Sequence, residues 1–132
     1  MDKHSDLVTI KTIQSDNDLQ IIHGYGDGGF RISGNRFLGS VFVTLRHTSL
    51  WSPPTPEQLT ASAIIDLAPE EFPPLLLLGV GAAPLSPLQT FADDLKKLGI
   101  ALELMSTASA CRTWNVLISE GRNAAAALYA VP

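Results

Sequence analysis

The chain has 132 residues and a mass of 14.1 kDa, the size of one ordinary domain and long enough to bury a core. Hydrophobic residues make up 45% and charged residues 17%, which argues against intrinsic disorder; a net charge of −4 and a pI near 5.2 argue against non-specific nucleic-acid binding. A single cysteine, Cys111, excludes an intramolecular disulfide and a multi-cysteine zinc site.

Residues 1–18 are polar and have neither the apolar stretch of a secretory signal nor the Arg-rich, acid-poor character of a transit peptide. They are expected to form a flexible leader with a short strand at 7–10. Residues 19–132 then form a single domain, expected in the cytoplasm. Residues 19–23 alternate weakly as a strand. They run into Gly24, Gly26, Gly28 and Gly29, four glycines in six residues, which mark a tight turn containing Asp27. Phe30-Arg31-Ile32 alternates like a half-buried strand, and Ser33-Gly34-Asn35 is the next turn. Phe37-Leu38 and residues 41–45 form one strand or two, broken near Gly39. The first half therefore reads as an antiparallel meander.

Thr55-Pro56-Glu57-Gln58 has the signature of a helix start, with Thr as cap, Pro at the first position and Gln three residues on. Pro69, Pro73 and Pro74 end that helix. Residues 75–80 are an unbroken apolar run, the pattern of a strand buried on both faces. Ser86-Pro87-Leu88-Gln89 repeats the cap signature. Leu88, Phe91, Ala92 and Leu95 form the buried stripe of a second helix, which stops at Gly99. Residues 100–105 form a strand. A third helix runs from Ser106 or Thr107 to Glu120 and stops at Gly121; its apolar stripe is Ala110, Cys111, Trp114, Leu117 and Ile118. Residues 124–131 form an alanine-rich last strand. The expected fold is a three-layer α/β domain. Its mixed β-sheet has an antiparallel N-terminal meander and two right-handed strand–helix–strand crossovers.

No motif identifies a catalytic centre. Gly79-Val80-Gly81 follows a strand, but the dinucleotide fingerprint needs a third glycine where this chain has Pro84. Cys111 lies early in a helix, where a thiol pKa is lowered, yet it also falls on the apolar stripe. No pair among His4, His23 and His47 lies at ligand spacing with a carboxylate. No cofactor or metal is expected. Arg112, Asn115, Ser119 and Arg122 share a helix face that is either solvated or read by a partner. Trp51, before Ser52-Pro53-Pro54, sits in a predicted loop as a core cap or a partner anchor. Asp27, Arg31 and Glu120 complete the polar residues of interest.

Several stretches together resemble a known family. These are residues 24–30, Ile32-Ser33-Gly34-Asn35, Leu38-Gly39, Trp51, Leu78-Gly79-Val80-Gly81, Gly99-Ile100, residues 107–115, Glu120-Gly121-Arg122 and residues 125–128. The family is a small α/β domain family of unknown biochemical activity. It includes the mitochondrial respiratory complex I assembly factor three and the adipogenesis-associated Mth-like protein. Ser106 stands where many relatives have an acid, and Trp114 where Tyr or Phe is usual. The resemblance implies a three-layer fold, no accepted catalytic residues and action through protein partners.

The expected role is thus a non-enzymatic protein-interaction or assembly-factor-like module, with a protein partner, no nucleic acid and no membrane insertion. The expected docking surface comprises Asp27, Gly79, Gly81, Arg112 and Asn115, with Trp51 as a further candidate. The alternative is a small-molecule or anion-binding protein or enzyme. Its site would lie at the carboxyl ends of the strands, near the third helix N-terminus.

Overall fold

The computed structural model describes residues 18–82 and 87–132. The leader expected at 1–18, with its strand at 7–10, and the Ser86 cap therefore lie outside the described residues, Asp18 apart. Three strands, β1 (Ile22–Gly26), β2 (Gly29–Ile32) and β3 (Asn35–Leu38), form an antiparallel sheet in that order. Strands β4 (Ser40–Thr44), β5 (His47–Trp51), β6 (Leu75–Gly79), β7 (Ala101–Met105) and β8 (Ala125–Leu128) form a mixed sheet in the order β5-β4-β8-β6-β7. β8, β6 and β7 are parallel; β4 runs antiparallel to β5 and to β8. The meander thus both extends the large sheet, through β4 and β5, and folds over it, through β1–β3. The chain passes between sheets at Gly39, whose φ of 114° is open to glycine and strained for other residues.

Helix α1 (Ala61–Ile65) and helix α2 (Gln89–Lys97) cover one face of the large sheet. Helix α3 (Thr107–Ser119) and the small sheet cover the other. The alternation of β6 shows why its run is wholly apolar. Leu76 and Leu78 belong to the core cluster that holds Ile64, Phe91 and Leu95, while Leu77 belongs to the cluster on the opposite side that holds Phe30, Cys111 and Trp114. All three leucines are fully buried, each such side chain contributing about 1.5–3 kcal/mol. The alanines of β8 are buried on both faces as well. Ser106 caps α3, its hydroxyl accepting from the Ser109 amide at 3.1 Å. Gly99 and Gly121 end α2 and α3 with φ of 81° and 74°. The Ile100 and Arg122 amides reach back to the Leu95 and Leu117 carbonyls at 3.0 Å.

Four local expectations are corrected. The turn expected at Ser33-Gly34-Asn35 is only Ser33 and Gly34, because Asn35 already pairs with Ile32 as the first residue of β3. The glycine-rich turn is shorter than expected, because β1 runs through Gly26 and only Asp27 and Gly28 turn. Trp51 is not in a loop; it ends β5, an edge strand whose polar His47-Thr48-Ser49 start hid its alternation. The first helix does not begin at Thr55. Pro56–Gln58 is a single 3₁₀ turn, after which Leu59 is extended and buried, and α1 starts with the Thr60 hydroxyl accepting from the Ala63 amide at 3.2 Å.

Candidate functional site

The carboxyl ends of β6 and β8 meet the N-terminus of α3 in a closed polar joint. Thr107 is fully buried there. Its hydroxyl donates to the Tyr129 carbonyl at 2.8 Å and accepts from the Gly81 amide at 2.9 Å. The Thr107 amide donates back to the Gly81 carbonyl at 2.9 Å, and the Tyr129 amide to the Gly79 carbonyl at 2.8 Å. Gly79 is required by proximity: a Cβ there would lie 2.9 Å from the Ala110 Cβ, 3.0 Å from the Thr107 Cα and 3.0 Å from a Leu128 methyl. Gly81 is required by conformation, with φ of 93°. Helix α3 is therefore seated directly on the strand end. Two of the first-turn amides that an anion would take, those of Thr107 and Ser109, are spent on the Gly81 carbonyl and Ser106 Oγ.

The last residues carry this joint to the hairpin of β1 and β2. The Ala130 amide donates to Ser40 Oγ at 2.9 Å, and the Gly28 amide to the Val131 carbonyl at 2.8 Å. Tyr129 packs edge-on against Trp51, ring centroids 5.4 Å apart, and its hydroxyl donates to the Pro54 carbonyl at 2.7 Å. Trp51 packs against the core cluster of Phe42, Leu78 and Ala127. Gly79, Gly81 and the Trp51–Tyr129 pair are thereby linked to the turn holding Asp27. That turn is pinned by its backbone: Asp27 has φ of 53°, and its carbonyl accepts a long 3.4 Å bond from the Arg36 guanidinium.

The two named side chains of α3 differ. Asn115 grips the backbone of β1, its Oδ1 accepting from the Ile22 amide at 2.9 Å and its Nδ2 donating to the Ile22 carbonyl at 2.8 Å. Arg112 is exposed and donates only to Ser109 Oγ at 3.3 Å among the described residues. Cys111 is buried beside Trp114, and desolvation pushes its thiol up from 9.0 to about 12, so it carries no nucleophilic thiolate at neutral pH. Among the described residues, no group of three or more His, Cys, Asp or Glu side chains is placed to hold a metal ion. A groove of about 560 Å³ lies at the opposite, amino-terminal end of the parallel strands, lined by Leu45, Arg46, Pro69, Glu70, Glu71 and Asn123 among others. Thr107 and Tyr129, which organise the joint, are not marked in the sequence by any motif chemistry. A buried threonine reads as an ordinary helix start, and Tyr129 as part of a strand.

The sequence profile of a family described as a protein of unknown function, DUF498/DUF598, matches residues 22–129. The chain is 38% identical over 111 residues to an uncharacterized protein of Rhodobacter capsulatus, covering 84% of this chain and 85% of that one. It is 34% identical over 113 residues to the Danio rerio NADH dehydrogenase [ubiquinone] 1 alpha subcomplex assembly factor 3, covering 85% of this chain and 65% of the assembly factor. The chain thus spans less than two-thirds of that relative's length. A Bartonella henselae protein described as an outer membrane protein superposes with a TM-score of 0.72 at 30% identity, covering 88% of this chain and 98% of that one. A Bordetella pertussis protein described as a Mth938-like domain superposes with a TM-score of 0.66 at 27% identity, covering 85% of this chain and 86% of that one. No helix among the described residues is long and apolar enough to cross a membrane.

Proposed function

This chain belongs to the DUF498/DUF598 family, and on that premise we propose that it is a non-enzymatic protein-interaction module acting in the manner of an assembly factor. The observation that carries the reading is the joint at Thr107. The crevice where an open α/β sheet ordinarily binds a small ligand is filled by Thr107, Gly79 and the backbone of residue 129. The relatives named as NADH dehydrogenase assembly factors support the same reading, and they make subunits of a respiratory NADH dehydrogenase the first partners to test. We assign docking to the surface around the exposed Asp27 and Arg112 and the Trp51 end of β5, with Gly79, Gly81 and Asn115 holding its frame. The cytoplasm is the proposed compartment.

The test is recombination of purified components. The tagged chain, expressed at its native level, is captured with its bound proteins, and each is purified and mixed with it again. One of them is expected to re-form a stoichiometric complex. Arg112→Glu and Asp27→Asn should weaken that complex while leaving the melting temperature nearly unchanged, because both side chains are exposed and asparagine tolerates the positive φ at position 27. Failure of every captured protein to rebind would overturn the reading.

A further inference from the structure

The outer face of the small sheet carries an arrangement that the core does not explain. Arg31 on β2 and Arg36 on β3 are directly opposite one another, and both are exposed. Opposed residues of an antiparallel pair share a face, and like charges set opposite one another are destabilising. The next position in the row, on β1, is Gly24, where a Cβ would have no atom within 4 Å. Two arginines therefore share one row with a bare glycine, the Arg36 guanidinium donating a long 3.4 Å bond to the Asp27 carbonyl. Residues 22–38 carry Arg31 and Arg36 against the single acid Asp27, on a chain whose net charge is −4. Two residues beyond Arg36, on the same face, Leu38 is 67% exposed, while the alternate residue Phe30 on β2 is fully buried.

The edge of this sheet is also open. β3 is its last strand. Ser33 and Gly34, with φ of 50° and 80°, form a two-residue turn closed by the Ile32–Asn35 pair. Antiparallel bonding alternates from that pair, so Asn35 and Phe37 turn their backbone groups toward β2. Arg36 and Leu38 turn theirs outward. Among the described residues, no hydrogen bond reaches those outward groups.

We propose that the free edge of β3 receives an extended segment of a protein partner as an added strand, with a carboxylate set against Arg36 and Arg31 and an apolar side chain set against Leu38. This deepens, and rests on, the protein-partner reading above. Strand addition supplies backbone mates for Arg36 and Leu38, which a free phosphate or a lipid headgroup does not. The recognised pattern is an acidic and an apolar residue two positions apart, since such residues share a face of a strand. A second copy of this chain is a poor occupant, because edge-to-edge pairing of β3 brings arginine toward arginine.

The test uses the full chain and fluorescent peptides in which threonine alternates with glutamate and leucine, with lysine replacing glutamate in the control. The glutamate peptide is expected to bind saturably, and the lysine peptide about tenfold more weakly. Arg36→Glu should reverse that preference, and Leu38→Thr should weaken the glutamate peptide about threefold. The amide resonances of Arg36 and Leu38 should shift on binding. Unaltered melting confirms that the variants fold; should Arg36→Glu not fold, Arg31→Glu reads the same charge dependence. Equal affinity for both peptides, or a glutamate peptide indifferent to Arg36→Glu, overturns the proposal. So does Arg36-dependent binding of phosphatidylglycerol-containing vesicles without peptide binding, which would give the face to lipid. A captured partner that binds Arg36→Glu and Leu38→Thr as tightly as the native chain refutes this inference alone and leaves the partner reading standing.

Discussion

Replacing Gly79 with alanine tests the joint where it is tightest. The added methyl would sit 2.9 Å from the Ala110 Cβ and 3.0 Å from both the Thr107 Cα and a Leu128 methyl. Two of these neighbours are fixed to the first turn of α3, so neither yields by a rotamer change. The helix must lift by a few tenths of an ångström, and the Thr107 bonds to residues 81 and 129, now 2.8–2.9 Å, must stretch with it. Overpacking of this kind costs about 2–3 kcal/mol, which lowers the melting temperature of a chain this size by roughly 8–12 °C. Urea unfolding followed by tryptophan fluorescence, with calorimetry alongside, measures both quantities. Gly81→Ala is the internal comparison: a Cβ there meets nothing within 4 Å, so the cost is only the strain of a positive φ, about 1 kcal/mol. A Gly79→Ala protein that melts within about 1 °C of the native chain would refute the tight seating of α3.

Thr107→Val removes the hydroxyl and leaves the Gly81 amide and the Tyr129 carbonyl unpaired; the expected loss in urea unfolding is about 2–4 kcal/mol, and Thr107→Ser should lose much less. Asn115→Ala frees both backbone groups of Ile22, so the Ile22 amide should exchange with solvent markedly faster, at a cost of about 1–2 kcal/mol in global stability. Cys111 should react slowly with a thiol probe in native buffer and rapidly in urea. Its thiol is raised in the folded state, so it leaves stability unchanged below about pH 9 and lowers it as pH climbs from 9 toward 12. Cys111→Ala should make that part of the alkaline unfolding curve shallower, leaving the fall above about pH 10 that comes from Tyr129, whose hydroxyl is also pushed up by burial to about 12.

Much of this architecture is legible in the chain itself. The apolar run of β6, short and bounded by Pro74 and the Gly79-Val80-Gly81 turn, reads as a strand covered on both faces, and Gly99 and Gly121 mark the ends of α2 and α3 because glycine sits easily at a left-handed helix stop. The alanines of β8 announced close packing. β5 was hidden because an edge strand needs only a partly buried face, and Thr48 is buried through a hydrogen bond to Gln20, not through apolar character. The cap signature at Thr55 was spent on a single 3₁₀ turn, since Leu59 gains more by entering the core than by continuing a helix. At the candidate site, Gly79 and Gly81 look alike in sequence, yet one is needed for space and the other for φ. Only the placement of α3 separates them. Asn115 likewise shows its polar character without revealing that both its polar atoms are committed to β1. The opposed arginines were hidden by one residue of turn length. A turn of Ser33-Gly34-Asn35 would set Arg31 against Phe37, whereas the two-residue turn closed by Ile32 and Asn35 sets it against Arg36.

The central claim is that the chain works by holding another protein, and the size of the particle in which it resides tests this most directly. The tagged chain, expressed at its native level, is run on a native gel from gently lysed cells. A discrete species well above the chain's own 14.1 kDa is predicted, with Arg112→Glu or Arg36→Glu shifting the chain toward the free form. Migration of all the native chain as the free 14.1 kDa species under every lysis condition would contradict the account.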